Sequence, residues 1–285
     1  MSRFVAFVLA ALFAAGAGHA QAVDGRLKRI LDSKTISIAY RADATPFSFE
    51  DDKKQATGFT VELCKAVVKS IERQYQVSGL KIKWVPVTIQ TRFDAVAKGQ
   101  ADMECSSSTV TLARLKQVDF SSFTFVESTG VVVRTVSGAR SIDDLGGKKI
   151  AVVAGTTNER AVNLQLKRRS INATVVPFKT RDEGFAAFEA GKVDAFASDK
   201  LLLVGASTKA KEPGMLAMLP DDLSFEPYGI ALPRGDATFR LAVNTGLSQI
   251  YTSDEIIEIF GRWFGAFGKP SDLIQAVYVF GAIPE

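Results

Sequence analysis

One pattern occurs twice in this chain, and it constrains the fold more than any other feature. With Phe93 placed over Phe185, Ala95 matches Ala187, Gly99 matches Gly191, Asp102 matches Asp194 and Ser106 matches Ser198, in one register and without a gap. Both copies of F-x-A-x-x-x-G-x-x-D-x-x-x-S read as the end of a helix, a glycine that stops it, a strand and a loop. A repeated supersecondary unit implies two structurally similar bodies, each burying its own core. The 285 residues are 47% hydrophobic and 23% charged, too apolar for a disordered chain and ample for two such cores.

Apolar periodicity around each copy supplies the rest of the unit. Residues 23–31 read as a short helix, 35–40 as a strand, 58–71 as a helix, 80–85 as a strand, 92–98 as a helix ended by Gly99, and 101–105 as a strand. From residue 149 the order resumes with strand 149–154, helix 158–168, strand 174–178, helix 183–190, strand 193–197 and helix 200–209. This alternation predicts an α/β fold of two mostly parallel sheets with flanking helices. Residues 129–134 and 226–233 are extended stretches that carry the chain into the second body and back, so the two bodies are joined by two hinge strands. The expected division is a first lobe of residues 23–131 and 234–285 and a second lobe of 132–233. Helices at 236–250 and 254–264 and a tail belong to the first.

The N-terminus bears on location. Arg3, the apolar residues 4–17 and then Ala20-Gln21-Ala22 have the form of a secretory signal peptide, residues 1–22, cleaved near Ala22. The apolar run is shorter and richer in small residues than the ~20 that a spanning helix requires. The only histidine, His19, lies in this leader; the 285 residues less these 22 leave 263 without one. Ser-His-Asp and Cys-His catalysis and histidine metal ligation are thereby excluded. Without Arg3 the balance is 34 basic against 31 acidic residues, evenly spread, which is no footprint for nucleic acid or a membrane surface. Cys64 and Cys105 are the two cysteines. An oxidising destination admits a disulfide, and two buried thiols fit the pattern equally.

In open α/β sheets, ligands bind beyond the carboxyl ends of the strands. Here those ends carry Arg41, Thr88 to Arg92, Ser106-Ser-Ser-Thr109, Gly155-Thr-Thr157, Arg181 and Asp199. Helix N-termini offer free N–H groups to an anion, arginines grip carboxylates, and an aspartate holds an ammonium, so the set suits an amino acid. Each residue also has an ordinary reading as a solvated loop residue or a helix cap. The Gly155-Thr-Thr loop has neither the glycines of a dinucleotide fingerprint nor a Gly-Lys-Ser, and no carboxylate or cysteine cluster has metal spacing, so no cofactor and no metal is expected.

Tyr40-Arg-Ala-Asp-Ala-Thr-Pro-Phe-Ser-Phe49, Gly58-Phe-Thr-Val-Glu-Leu-Cys64, Glu104-Cys-Ser-Ser-Ser-Thr109 with Arg114, Val118-Asp-Phe-Ser121 and Gly155-Thr-Thr157 together resemble the polar amino-acid solute-binding proteins of bacterial ABC importers. The resemblance runs from about Thr35 to Phe267 and is nearest the periplasmic glutamate/aspartate-binding branch. It implies the two-lobed type II periplasmic-binding-protein fold, and a monomer that closes on an acidic amino acid and delivers it to a membrane permease. By the family's pattern Arg114, Thr109 and the Gly155-Thr156-Thr157 loop grip the α-carboxylate, Asp199 with Ser107 holds the α-ammonium, and Arg41 and Arg92 meet the side-chain carboxylate. Two residues depart from that pattern: Ile89 stands where acidic-ligand binders commonly have serine, and Arg181 where they commonly have histidine. Arg92 and Arg181 are then expected at the far end of the ligand, with Ile89 as an apolar wall. Four arginines against Asp199 predict that one arginine is paired with protein. The family also contains periplasmic dehydratases on this fold, which would require a positioned acid such as Glu104 or Glu183, and binders of other polar amino acids.

Overall fold

The structure is a computed structural model and describes residues 24–284; the expected signal peptide, residues 1–22, lies outside the described residues. The first part of the chain runs α1 (Gly25–Ser33), β1 (Thr35–Arg41), β2 (Asp43–Ala44), β3 (Ser48–Glu50), β4 (Ala56–Thr57), α2 (Phe59–Gln74), β5 (Lys81–Val87), α3 (Arg92–Ala97), β6 (Met103–Glu104) and β7 (Asp119–Glu127). The chain then crosses into β8 (Thr129–Arg134), β9 (Lys149–Val153), α4 (Thr157–Arg168), β10 (Thr174–Phe178), α5 (Arg181–Glu189), β11 (Ala195–Asp199), α6 (Lys200–Ser207) and β12 (Leu216–Met218). It returns through β13 (Glu226–Leu232) and ends in α7 (Ala237–Tyr251), α8 (Glu255–Phe264) and α9 (Asp272–Gly281).

Two five-stranded sheets result, ordered β5-β1-β6-β13-β7 and β10-β9-β11-β8-β12. They are the same sheet built twice. In each, three parallel strands stand in the order second, first, third, and the strand that has crossed from the other body joins the third antiparallel. Each sheet is therefore mixed, because a crossing strand enters from the opposite end and must run against its neighbour. The two stretches expected to be crossings are extended, but each lies wholly within the sheet it enters. Sheet membership thus moves the crossing points from the expected 131/132 and 233/234 to Ser128 and to the residues just before Glu226. There the Thr129 and Ser224 segments hold one another: the Thr129 N–H donates to Ser224 Oγ at 3.1 Å and Leu223 N–H to the Thr129 carbonyl at 2.9 Å.

The sequence repeat has a structural cause. Gly99 and Gly191 both adopt left-handed φ, +74° and +70°, where a β-carbon is strained, and so end α3 and α5. Three residues later Asp102 and Asp194 clamp the start of the first strand of their sheets: Asp102 Oδ2 accepts from Ser37 N–H at 2.7 Å, and Asp194 Oδ2 from Lys149 N–H at 2.8 Å. Each aspartate N–H donates back to the same residue's carbonyl, at 2.7 and 2.8 Å.

The first core gathers Phe59 of α2, Phe125 of β7, Tyr228 of β13 and Phe264 of α8 around Phe47, whose ring lies 5.0 Å from that of Phe125 and 5.2 Å from that of Tyr228. Burying one such ring contributes about 2–3 kcal/mol. In the second sheet Val131 and Val133 face α4, whereas Val132 faces Phe185 and Phe188 of α5, the period of two expected of a strand covered on both sides. Cys64 on α2 and Cys105 after β6 form a disulfide, which resolves the alternative left open above.

Candidate functional site

The strand ends and helix starts of both sheets meet in one cleft. Arg41 ends β1, Arg92 begins α3, Ser107 and Thr109 follow β6, and Arg114 begins a short turn; opposite them Thr156 caps α4, Thr157 begins it, Arg181 begins α5 and Asp199 ends β11. All nine expected residues lie along this seam. The two sides touch: Thr109 Oγ1 lies 3.3 Å from Thr157 Oγ1, and Arg181 Nη1 donates to the Asp43 carbonyl at 2.7 Å.

One end of the cleft is a mixed acid and base site. Arg114 Nη1 donates to the Thr109 carbonyl at 2.7 Å and its guanidinium sits 5.1 Å from the centre of the Phe93 ring, which leaves its other donors available. Burial pulls the Arg114 pKa down, opposed by the Glu226 carboxylate. Thr109 donates to Glu226 Oε2 at 2.7 Å. Asp199 is 5% exposed, and burial followed by repulsion from Glu226 raises its pKa against the opposing attraction of Arg181. Asn158 Nδ2 donates to it at 3.3 Å. Glu127, at the crossing, is pushed up from 4.5 to about 8 by burial and then by Asp199. Thr156 is engaged differently from its neighbour. Its hydroxyl donates to the Val153 carbonyl at 2.7 Å and accepts from Glu159 N–H at 3.1 Å as a helix cap, whereas the Thr157 hydroxyl faces across the cleft.

The other end carries most of the positive charge. Arg41 is 1% exposed and donates to Asp43 Oδ1 at 2.6 Å; Arg181 is 5% exposed and lies 3.8 Å from Asp43 Oδ2. One carboxylate therefore serves two arginines, where one protein-paired arginine was expected. Arg92, 3% exposed, has a buried Nε without a hydrogen-bond partner, and burial and the neighbouring Arg114 push its pKa down to about 9, still protonated at neutral pH. The buried Ser107 hydroxyl has no partner either. Ile89, expected as an apolar wall of the pocket, instead packs with Val153, Phe185 and Phe196 in the core cluster of the second sheet, because the β5–α3 loop lies against that cluster.

The two acids that a catalytic reading needs are already engaged. Glu104 accepts from Ser106 and, at 2.7 Å, from Ser108; Glu183 closes a capping box with Thr180 at the start of α5. Sequence reasoning missed Asp43, Glu226 and Asn158. Asp43 had a readable signal, since it lies two residues after Arg41 in extended chain, where side chains share a face. Glu226 and Asn158 had none, because their partners, Thr109 and Thr129 respectively, are distant in sequence.

Comparison with known proteins gives a consistent answer. The model of the bacterial extracellular solute-binding proteins, family 3, matches residues 36–266. An L-glutamate/L-aspartate-binding protein of Pseudomonas aeruginosa is 33% identical over 246 residues, 86% of this chain and 82% of that one. Among solved structures, an ancestral arginine-binding protein bound to arginine superposes with a TM-score of 0.72 at 28% identity, covering 81% of this chain and 99% of its own. An ancestral amino acid-binding protein described as a precursor of cyclohexadienyl dehydratase also gives 0.72, at 28% identity over 83% of this chain and 98% of its own.

Proposed function

This chain belongs to the bacterial extracellular solute-binding proteins, family 3, and on that premise we propose that it works in the periplasm as a monomer, captures glutamate or aspartate by closing its two lobes, and passes it to the permease of an ABC importer. The observation that carries the acidic ligand is Arg92, a buried guanidinium whose Nε lacks a partner, placed across the cleft from the buried Asp199. In this reading Arg114, the Thr157 hydroxyl and the N–H groups opening α4 take the α-carboxylate. Asp199, with Ser107, takes the ammonium, which relieves its repulsion from Glu226. Arg92 takes the distal carboxylate, and Arg41 and Arg181 shape that end.

Closure is a population shift. A ligand that touches Arg114 and Asp199 together binds the shut state preferentially and draws the protein into it. No bond need be made or broken, and the engagement of Glu104 and Glu183 supports binding over a dehydratase reaction. The glutamate/aspartate-binding relative supports the ligand class as well.

Calorimetry of ligand-stripped protein against glutamate, aspartate, glutamine, asparagine, arginine and histidine tests the proposal. Either acidic amino acid should bind most tightly; tighter binding of glutamine or arginine overturns it. Arg114→Ala and Asp199→Ala should each cost about 2–5 kcal/mol of binding, since each leaves a ligand charge buried without its partner.

A further inference from the structure

Resting on that reading, we propose that Asp43 couples lobe closure to ligand charge: its carboxylate joins Arg41 of the first lobe to Arg181 of the second, making both part of an interlobe clasp and leaving Arg92 as the cation for the ligand's distal carboxylate. Arg41 Nη2 lies 2.6 Å from Asp43 Oδ1, while Arg181 Nη1 donates to the Asp43 carbonyl oxygen at 2.7 Å and stands 3.8 Å from Oδ2. Among the described residues this is the ion pair that spans the two lobes. Arg181 needs it. A guanidinium at the first residue of α5 faces the positive end of that helix, and it is buried from water with a single long contact, 3.5 Å, to Ser198 within its own lobe. Asp199 of its own lobe acts on it only from a distance, so in this proposal the closed state supplies the carboxylate that it meets.

The surrounding seam is shaped for this approach. A β-carbon on Gly205 of α6 would lie 2.7 Å from the carbonyl oxygen of Thr45, two residues past Asp43, so glycine is what lets the lobes meet there. Beside it Gln90 Nε2 donates to the Lys179 carbonyl at 3.1 Å. Two consequences follow from the charge count. With Asp43 present, Arg41 and Arg181 share one negative charge, and Arg92 alone carries the demand for a second carboxylate. Without it, two buried guanidiniums face each other unpaired, and a ligand carboxylate relieves them whereas an amide does not.

Calorimetry with glutamate, aspartate, glutamine and asparagine should be run on the unmodified protein, Asp43→Asn, Arg181→Gln, the double variant and Gly205→Ala, with solution scattering of each unliganded protein. Asp43→Asn is isosteric and should raise the ratio of amide Kd to acid Kd about tenfold, while the double variant returns it to within about threefold of the unmodified value. Gly205→Ala should weaken all four ligands alike and leave the ratio in place. Unliganded radius of gyration should rise in Asp43→Asn and in Arg181→Gln, and rise no further in the double variant. An unchanged ratio in Asp43→Asn, or effects of the two substitutions that simply add, overturns the clasp. If the unmodified protein prefers a neutral or basic amino acid, the acidic-ligand reading fails, and the clasp is still decided by whether the two substitutions couple in the scattering radius.

Discussion

The two lobes use the same strand clamp in different surroundings. In the first, Asp102 is 1% exposed and accepts from Arg26, at 3.2 Å, and from Arg29 in addition to Ser37, and the strand behind it is tied to α2 by the Cys64–Cys105 disulfide. In the second, Asp194 is partly exposed and holds Lys149 with its side chain unaided by any arginine, and the position matching Cys105 is Ala197. The difference teaches a division of labour. The first lobe is cross-linked and contributes three of the four cleft arginines, whereas the second contributes Asp199, Thr157 and Arg181 from the other side of the seam.

Removing the disulfide strikes this contrast hardest. Cys64→Ser with Cys105→Ser should cost about 4 kcal/mol on the chain-entropy account for a separation of 41 residues. Hydrogen exchange should show the lost protection in β1, β6 and α2. Equal loss in both lobes would mean that they unfold as one unit and would break the comparison.

A smaller effect separates the two clamps. Asp102→Asn should destabilise by about 2–3 kcal/mol, because two arginines and a strand N–H lose a buried carboxylate, and Asp194→Asn by about 1 kcal/mol. Denaturant titration measures both, and equal values would show that the arginines contribute nothing.

A third effect lies at the crossing between the lobes and shows only against pH. Glu127 titrates near 8 in the folded chain against an ordinary 4.5, so the folded state keeps a proton that the unfolded state loses across that window. Its contribution is therefore most favourable below about 4.5, becomes less favourable as pH rises towards 8, and is flat above. Between those values stability should fall by up to about 1.4 kcal/mol per pH unit. Glu127→Gln should remove this part of the pH dependence; parallel curves for the two proteins would place Glu127 in an ordinary solvated setting.

The small sheet of β2, β3 and β4 was not legible in the sequence, because strands of two or three residues are too short to show a period. Nor was α9, whose exposed Val279 and Phe280 leave its pattern without a polar face. Arg181 was legible as a cleft residue from its place at the mouth of a helix. That it meets a protein carboxylate was not, since Asp43 is 138 residues away and belongs to the other lobe.

What the sequence determined by itself is local and periodic: the helix-stopping Gly99 and Gly191, the clamping aspartates three residues later, the strand and helix order, and the polar residues at the strand ends. These follow from backbone sterics and from the spacing of apolar side chains, which each segment carries in its own residues. The tertiary structure alone decided which charges are paired. Arg41, Arg92 and Arg181 carry the same guanidinium, yet Asp43 serves the first and third and no protein carboxylate is bonded to Arg92 among the described residues. A charge's partner is set by distances of a few ångströms between segments far apart in the chain, and those distances exist only after the two lobes have folded and packed along their seam.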